Sequence, residues 1–291
     1  PFLLLLPILA WLLWIAVGRG LQPLNRVAEE VASRHSQHLD QLDTQSVPEE
    51  VKPLVQALND LFTILHTAFE KERRFTSDAA HELRTPLAAL KTHAQLAMRA
   101  GNDTDRQHSL KQLLAGIDRA SHVVDQLLDL ARLDPTASDR QSPDERVDLH
   151  ALAVDQVSDL ISLANSRNIE ISVEESEMLP VTGDRIGLSM LLRNLLDNAI
   201  RYTPESGQVR VAFETNDQDT CVLVDDSGPG IAQADRERVF ERFYRGEGEQ
   251  QPGCGIGLSI VKQVADRHGA SIMLESSDLG GLKIKVCFPQ A

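Results

Sequence analysis

One histidine beside a glutamate, two asparagines one helical turn apart, and a run of closely spaced glycines are the residues of this chain best suited to chemistry. The histidine sits in Phe75-Thr-Ser-Asp-Ala-Ala-His81-Glu82-Leu83-Arg84-Thr85-Pro86-Leu87. His81 falls off the apolar stripe of its helix and should face solvent. A neutral imidazole nitrogen is a nucleophile near neutral pH, and an adjacent carboxylate can orient the ring or accept its proton. Glu82 is placed to do that. Thr85 lies one turn further on, so its hydroxyl can reach the same place. Pro86 inside a helix costs about 3 kcal/mol and leaves the Glu82 carbonyl without its amide partner. A local rule broken beside a reactive residue is a mark of function.

The asparagines belong to Leu191-Leu-Arg-Asn194-Leu-Leu-Asp-Asn198-Ala-Ile-Arg201-Tyr202-Thr-Pro204. Asn194 and Asn198 share a helix face, with leucines for packing on the other. Magnesium takes oxygen ligands and keeps several waters, so one amide carbonyl plus the phosphate oxygens of a bound ligand makes a sensible shell. Next comes Val222-Leu-Val-Asp225-Asp226-Ser-Gly228-Pro-Gly230-Ile231. Strand alternation puts Val222, Val224 and Asp226 on one face and Asp225 on the other. Asp226 can then enter an apolar pocket and accept a hydrogen from a bound ligand, while Gly228 and Gly230 allow close backbone approach. Last are Phe240-Glu-Arg242-Phe-Tyr-Arg245 and, after a polar stretch, Gly253-Cys-Gly255-Ile-Gly257-Leu258. These glycines would let a loop fold over phosphates, and a helix starting near Leu258 would add its positive end. No GxxxxGK[ST] P-loop is present, and the glycines follow a strand too poorly for a dinucleotide-binding fingerprint.

The His81 string resembles the H-box of HisKA-type sensor histidine kinases of bacterial two-component systems, and Arg73 to Leu90 most resembles the QseC-like members. The later strings resemble, in order, the N-box, G1 box, F-box, ATP lid and G2 box of the Bergerat (GHKL) ATP-binding fold. The resemblance implies that His81 is the phosphoacceptor, that Glu82 assists proton transfer, and that Thr85 positions water when a phosphorylated partner is dephosphorylated. It further implies Asn198 as the magnesium ligand, Asn194 near the phosphates, Arg201 on phosphate and Tyr202 against the nucleotide. Arg242 and Arg245 would contact phosphates or dock on the helices that carry His81. The implied cofactors are ATP and Mg2+, and the implied partner is a response regulator whose aspartate takes the phosphate. Cys254 stands where small polar residues are usual.

These residues need a scaffold in several parts. Residues 1–17 are apolar and uncharged, including Trp11 and Trp14, and Arg19 and Arg26 follow. A membrane span needs about 20 apolar residues. The run reads as the end of a transmembrane helix whose start lies upstream, with the arginines placing the rest of the chain on the cytoplasmic side of a bacterial inner membrane. Residues 18–70 read as helix, polar connector and helix, with Val51, Leu54, Leu58, Leu61, Leu65 and Phe69 on one stripe, and resemble a HAMP relay. Residues 71–134 read as two longer helices broken at Gly101. Leu110, Leu113, Ile117, Ala120, Val124, Leu127 and Ala131 form a heptad seam that one hairpin cannot cover. A homodimer closing a four-helix bundle is therefore expected. Residues 135–147 read as linker, and 148–291 as an α/β sandwich that binds ATP.

The length of 291 residues allows two compact units with connecting pieces, and the 42% apolar and 25% charged composition is that of globular protein. A net charge of −14 argues against direct nucleic-acid binding. Cys221, Cys254 and Cys287 are widely spaced and fit reduced, separate thiols. Two rivals are a Bergerat-fold ATPase of the chaperone or mismatch-repair kind and a signalling scaffold without catalysis. The His81 string on a dimerising hairpin argues against the first, and intact His81, Asn198, Asp226 and glycines argue against the second.

Overall fold

The computed structural model describes residues 10–15, 29, 42, 48–49, 51–133, 145–216, 218–244 and 254–290. The chain forms two compact units, Pro1–Ala79 and Ala80–Ala291. In the first, residues 10–15 are helical. The rest of the expected transmembrane run and most of the HAMP-like connector lie outside the described residues. Among the described residues, no helix is long and apolar enough to cross a membrane.

Helix α1 (Lys52–Arg99) begins in this unit. The sequence divides residues 51–69 from a second helix at residue 75, but the structure joins them. Glu70 to Arg74 are strong helix formers with no glycine or proline among them, so nothing ends the helix there. The stripe is also corrected. Val51, Val55 and Phe62 are buried with Leu42, and Leu58 packs against them, whereas Leu54, Leu61 and Phe69 are exposed. The side-chain amide of Asn59 accepts from the Leu42 N–H at 2.7 Å and donates to the Leu42 carbonyl at 3.0 Å. That pair satisfies both backbone groups of a buried connector residue and selects the Val55 side of the helix.

The second unit opens with the end of α1 and helix α2 (Asp103–Arg132). Asn102 caps α2 by accepting the Asp105 N–H at 2.8 Å. Leu90 of α1 lies against Gly116 of α2, where an added Cβ would stand 2.8 Å from a Leu90 methyl. Leu87, Leu110, Leu114, Ile117, Val124 and Leu128 are exposed along the hairpin.

The remainder runs β1 (Glu145–Asp148), α3 (Leu149–Ser166), β2 (Glu170–Val173), β3 (Pro180–Gly183), α4 (Arg185–Tyr202), β4 (Gln208–Thr215), β5 (Asp219–Asp226), α5 (Gly257–Arg267), β6 (Ser271–Ser276) and β7 (Leu282–Pro289). Five strands form one sheet in the order β2-β4-β5-β7-β6, with β2 parallel to β4 and the other pairs antiparallel. β1 and β3 make a separate antiparallel ribbon, so the strand starts at Glu145, inside the expected linker. Strands β1, β3 and β6 are short and carry no distinct sequence signal, whereas α3, which the sequence reading missed, buries Leu149, Leu152, Ala153, Leu160 and Ala164 at helical spacing behind an Asp148 cap.

Helix α4 supplies the centre of the core: Leu188, Leu191, Leu192, Leu196 and Ile200 are fully buried, as are Ile260, Val261 and Val264 of α5 and Val222 and Val286 of the sheet. Each such side chain contributes about 1.5–3 kcal/mol by leaving water. His268 ties the two helices together. Its Nδ1 donates to the Val264 carbonyl at 2.8 Å and its Nε2 accepts from the Asp184 N–H at 3.0 Å. Asp184 in turn caps α4 by accepting the Ile186 N–H at 3.0 Å. The expectation of three separate cysteines is corrected. Cys221 and Cys287 face each other across β5 and β7 and are joined by a disulfide, while Cys254 is free and buried. Sixty-six residues separate the two in sequence, and only the strand register brings them together.

Leu191→Ala should lower unfolding stability by about 2–5 kcal/mol, read by denaturant titration, because it opens a cavity around a fully buried side chain of α4. A loss under about 1 kcal/mol would mean that α4 is not the centre of the core.

Candidate functional site

Strand β5 ends at Asp226, and the chain turns at once through Gly228 and Gly230. The Asp226 side chain is 6% exposed. Its Oδ1 accepts the Gly228 N–H at 2.8 Å and the Leu282 N–H at 3.1 Å, the second from the start of β7. Burial pushes this carboxyl above the usual range; the two N–H bonds pull it back only in part, and Asp225 adds to the rise. The glycines here are required by space. A Cβ on Gly281 would come within 2.3 Å of the Asp226 carboxylate, and one on Gly228 within 2.9 Å of both that carboxylate and the Tyr202 carbonyl. Asp225 faces away as alternation demands, meeting Ser277 at 2.9 Å, Arg210 at 3.6 Å and Lys283 at 3.7 Å.

Asp226 forms one wall of a solvent-open cavity. Asn198, Arg201 and Tyr202 of α4 line it, as do Gly230, Gly255, Gly257 and Leu258. An added Cβ on Gly257 would stand 3.0–3.2 Å from the amides of Asn198 and Asn194, so the helix α5 start presses directly on the asparagine face. Gly255 has φ of +66°, and a Cβ there would meet the Tyr244 carbonyl at 2.5 Å. Across this contact the Phe243 N–H donates to the Gly255 carbonyl at 2.9 Å, clipping together the two ends of segment 245–253. Arg245 and Gly253 lie outside the described residues. Arg242 does not line the cavity; it reaches Gln263 of α5 at 3.4 Å.

Asn194 is 4% exposed, and its amide is engaged at both ends. It donates to the Met190 carbonyl at 2.8 Å and accepts from Gln126 at 3.4 Å. Asn198, by contrast, makes no side-chain hydrogen bond among the described residues, which leaves its carbonyl for a ligand in the cavity. Arg201 donates to Asp197 at 2.6 Å, and His122 of α2 stands 3.3 Å from the same carboxylate oxygen. Burial pushes the Asp197 carboxyl up, but the hydrogen bonds from His122 and Arg201, with their charge, more than offset it and hold the group below the usual range.

His81 is well exposed on α1, with its Nδ1 4.0 Å from Glu82. The Thr85 hydroxyl donates to the His81 backbone carbonyl at 3.5 Å rather than to the imidazole. Two features tie this helix pair to the cavity. His122 and Gln126 of α2 line it. Burial raises the thiol of Cys254, on the cavity wall, to about 11, and the nearby charge of Glu82 adds to the rise. The sequence reading missed His122, Gln126, Asp197 and Tyr244. Asp197 was legible from its spacing between Asn194 and Arg201; the pair His122 and Gln126 shows one-turn spacing but not what it faces.

Residues 183–291 match the family model for the histidine kinase-, DNA gyrase B- and HSP90-like ATPase, and residues 71–136 that for the His Kinase A (phospho-acceptor) domain. Residues 21–66 match the sensor protein PhoQ-like HAMP domain. The sensor protein BasS of Salmonella typhimurium is 32% identical over 262 residues, covering 90% of this chain and 71% of that protein. The chain belongs to the sensor histidine kinases. Sensor protein kinase PmrB of Pseudomonas aeruginosa is 41% identical, with 100% of this chain and 61% of that one covered. Sensor protein QseC of Escherichia coli K12 is 40% identical, with 98% and 63% covered. The chain thus spans about three fifths of the length of these two kinases. Among solved structures, the Acinetobacter baumannii histidine kinase AdeS shares the fold, with a TM-score of 0.55 at 23% identity over 72% of this chain and 97% of that one. For this sensor histidine kinase the ATPase family implies ATP as the ligand of the cavity, and the glycine cradle and free Asn198 amide fit it.

Asp226→Asn keeps an acceptor for both N–H groups and removes a buried charge. It should leave the thermal midpoint at pH 7 unchanged or higher, whereas Asp226→Ala strands two buried donors and should cost about 1–3 kcal/mol. Because burial raises the carboxyl in the folded state, native protein holds that proton more tightly than unfolded chain. The ionised group therefore costs stability as pH rises from about 4, and the advantage of the Asn variant should grow over that window. Equal losses for Asn and Ala would contradict this.

Proposed function

We propose that this chain is the ATP-using part of a membrane-bound sensor histidine kinase, which phosphorylates His81 and passes the phosphate to an aspartate of a response regulator. The observation that carries the reading is that α2, the hairpin partner of the helix bearing His81, forms part of the wall of the nucleotide cavity. The exposed apolar seam of the hairpin supports a homodimer, with residues 71–134 as the phosphotransfer domain and 148–291 as the ATP-binding domain. Residues 1–17 as membrane helix and 18–70 as HAMP relay complete the path for a signal.

In this account Asp226 accepts the adenine amino hydrogen and Tyr202 lies against the nucleotide. Gly228 and Gly230 allow close backbone approach beside Asp226, Arg201 and Asn194 serve the phosphates, and Gly253, Gly255, Gly257 and Leu258 form the glycine turn over them, with Arg242 and Arg245 contacting phosphate or docking on the helices that carry His81. Asn198 would hold magnesium through its carbonyl, and the ion would supply neutralisation of the charge on the transferring group. Glu82 lies by Nδ1 of His81, which leaves Nε2 to attack. An N–P bond forms at Nε2, the bond from the γ-phosphorus to the bridging oxygen breaks, ADP leaves with the electron pair, and Glu82 takes the Nδ1 proton. Thr85, turned toward the backbone, would position water in the reverse duty of dephosphorylating the regulator.

Incubating the chain with γ-labelled ATP and magnesium should give acid-labile, base-stable label that is absent from His81→Gln and at least about a hundredfold lower in Asn198→Ala, since positioning and charge stabilisation carry phosphoryl transfer. Label that survives His81→Gln, or none at all in folded protein that binds ATP, would overturn the reading.

A further inference from the structure

Three buried polar side chains make one directed chain of hydrogen bonds from the turn before α5, through the hairpin, to the asparagine helix. The Cys254 thiol donates to the Gln126 Oε1 at 2.6 Å. The Gln126 Nε2 donates to the Asn194 Oδ1 at 3.4 Å, and Asn194 donates to the Met190 carbonyl at 2.8 Å. Cys254, Gln126 and Asn194 are only 3%, 7% and 4% exposed. A polar side chain so buried on an otherwise open helix is costly unless its partners are present. Gln126 finds both partners off the hairpin, and neither belongs to its own helix.

The neighbouring contacts point the same way. One turn before Gln126, His122 meets Asp197, and at the end of α2 the Leu133 carbonyl accepts from Gln263 of α5 at 2.8 Å. Cys254 itself is suited to donate rather than to react. Its thiol, raised to about 11 by burial, stays protonated near neutral pH.

We propose that Gln126 is a positioning residue for phosphorylation of His81: by bridging the Cys254 thiol and the Asn194 amide it latches the hairpin to the turn before α5 and to the asparagine helix. This rests on the kinase reading above. Gln126 touches no reacting atom in this account. It holds the helix pair that carries His81 against the nucleotide cavity, so its loss should slow transfer more than it weakens nucleotide binding.

The test uses the full chain, with Gln126→Leu, Cys254→Ala, the double variant and Cys254→Ser. Labelling of His81 at saturating ATP should slow about 2–10-fold in each of the first two, the value of one buried hydrogen bond, with affinity for a fluorescent ATP analogue changed by less than about twofold. The double variant should be no slower than the slower single, because both remove one shared interaction. Cys254→Ser keeps the donor and should label at nearly the original rate. A second readout is independent of catalysis. With Cys221 and Cys287 joined, Cys254 is the free thiol, and Gln126→Leu should speed its alkylation by iodoacetamide about 2–10-fold as the latch opens. Multiplying losses in the double variant, a Ser variant as slow as Ala, or unchanged alkylation would overturn the latch. If the unaltered chain takes no label while alkylation still responds to Gln126→Leu, the kinase reading fails and the latch stands.

Discussion

The ATP-binding half of this molecule is organised around one buried carboxylate. Asp226 sits at the end of a central strand, and its Oδ1 is held by two backbone N–H groups, one from the turn just after it and one from the start of β7. That geometry fixes the other features. Two chain segments must approach the carboxylate more closely than any side chain allows, which calls for Gly228 and Gly281. The strand must continue to Asp226 with its inner face apolar, which calls for Val222 and Val224 beneath it. Burial raises the carboxyl and costs stability at neutral pH. A stability cost concentrated at one site belongs with binding rather than folding.

A second constraint links this site to the hairpin. Two polar side chains of α2 line the cavity and are held from the other side: His122 by Asp197 and Gln126 by Cys254 and Asn194. The cavity is therefore shared between the ATPase domain and the helix pair that bears His81, and the contacts that join them are few and directional.

Much of this was legible in the chain itself. The face assignments of Asp225 and Asp226 follow from strand alternation, and the structure bears them out. The asparagine helix and the glycine positions were readable because each depends on near neighbours in sequence. The unreadable features depend on register or on distant partners. Val55 rather than Leu54 is buried because Asn59 fastens Leu42 on that side, and nothing local favours one stripe over the other. The Cys221–Cys287 pair exists through the alignment of β5 with β7. Gln126 reads as an ordinary helical glutamine until Cys254 and Asn194 are placed beside it. Strands β1 and β3 are four residues each and stabilise one another, so neither announces itself alone.

The central claim is that the Asp226 carboxylate reads the amino group of adenine, and the most direct measurement compares equilibrium binding of ATP and inosine triphosphate, which carries a carbonyl in place of that amino group. The carboxylate would be left facing an oxygen, a loss of about 1–3 kcal/mol, so ATP should bind about 5–150-fold more tightly. Equal affinities for the two nucleotides would contradict the account, because the buried carboxylate would then have no part in recognising the base.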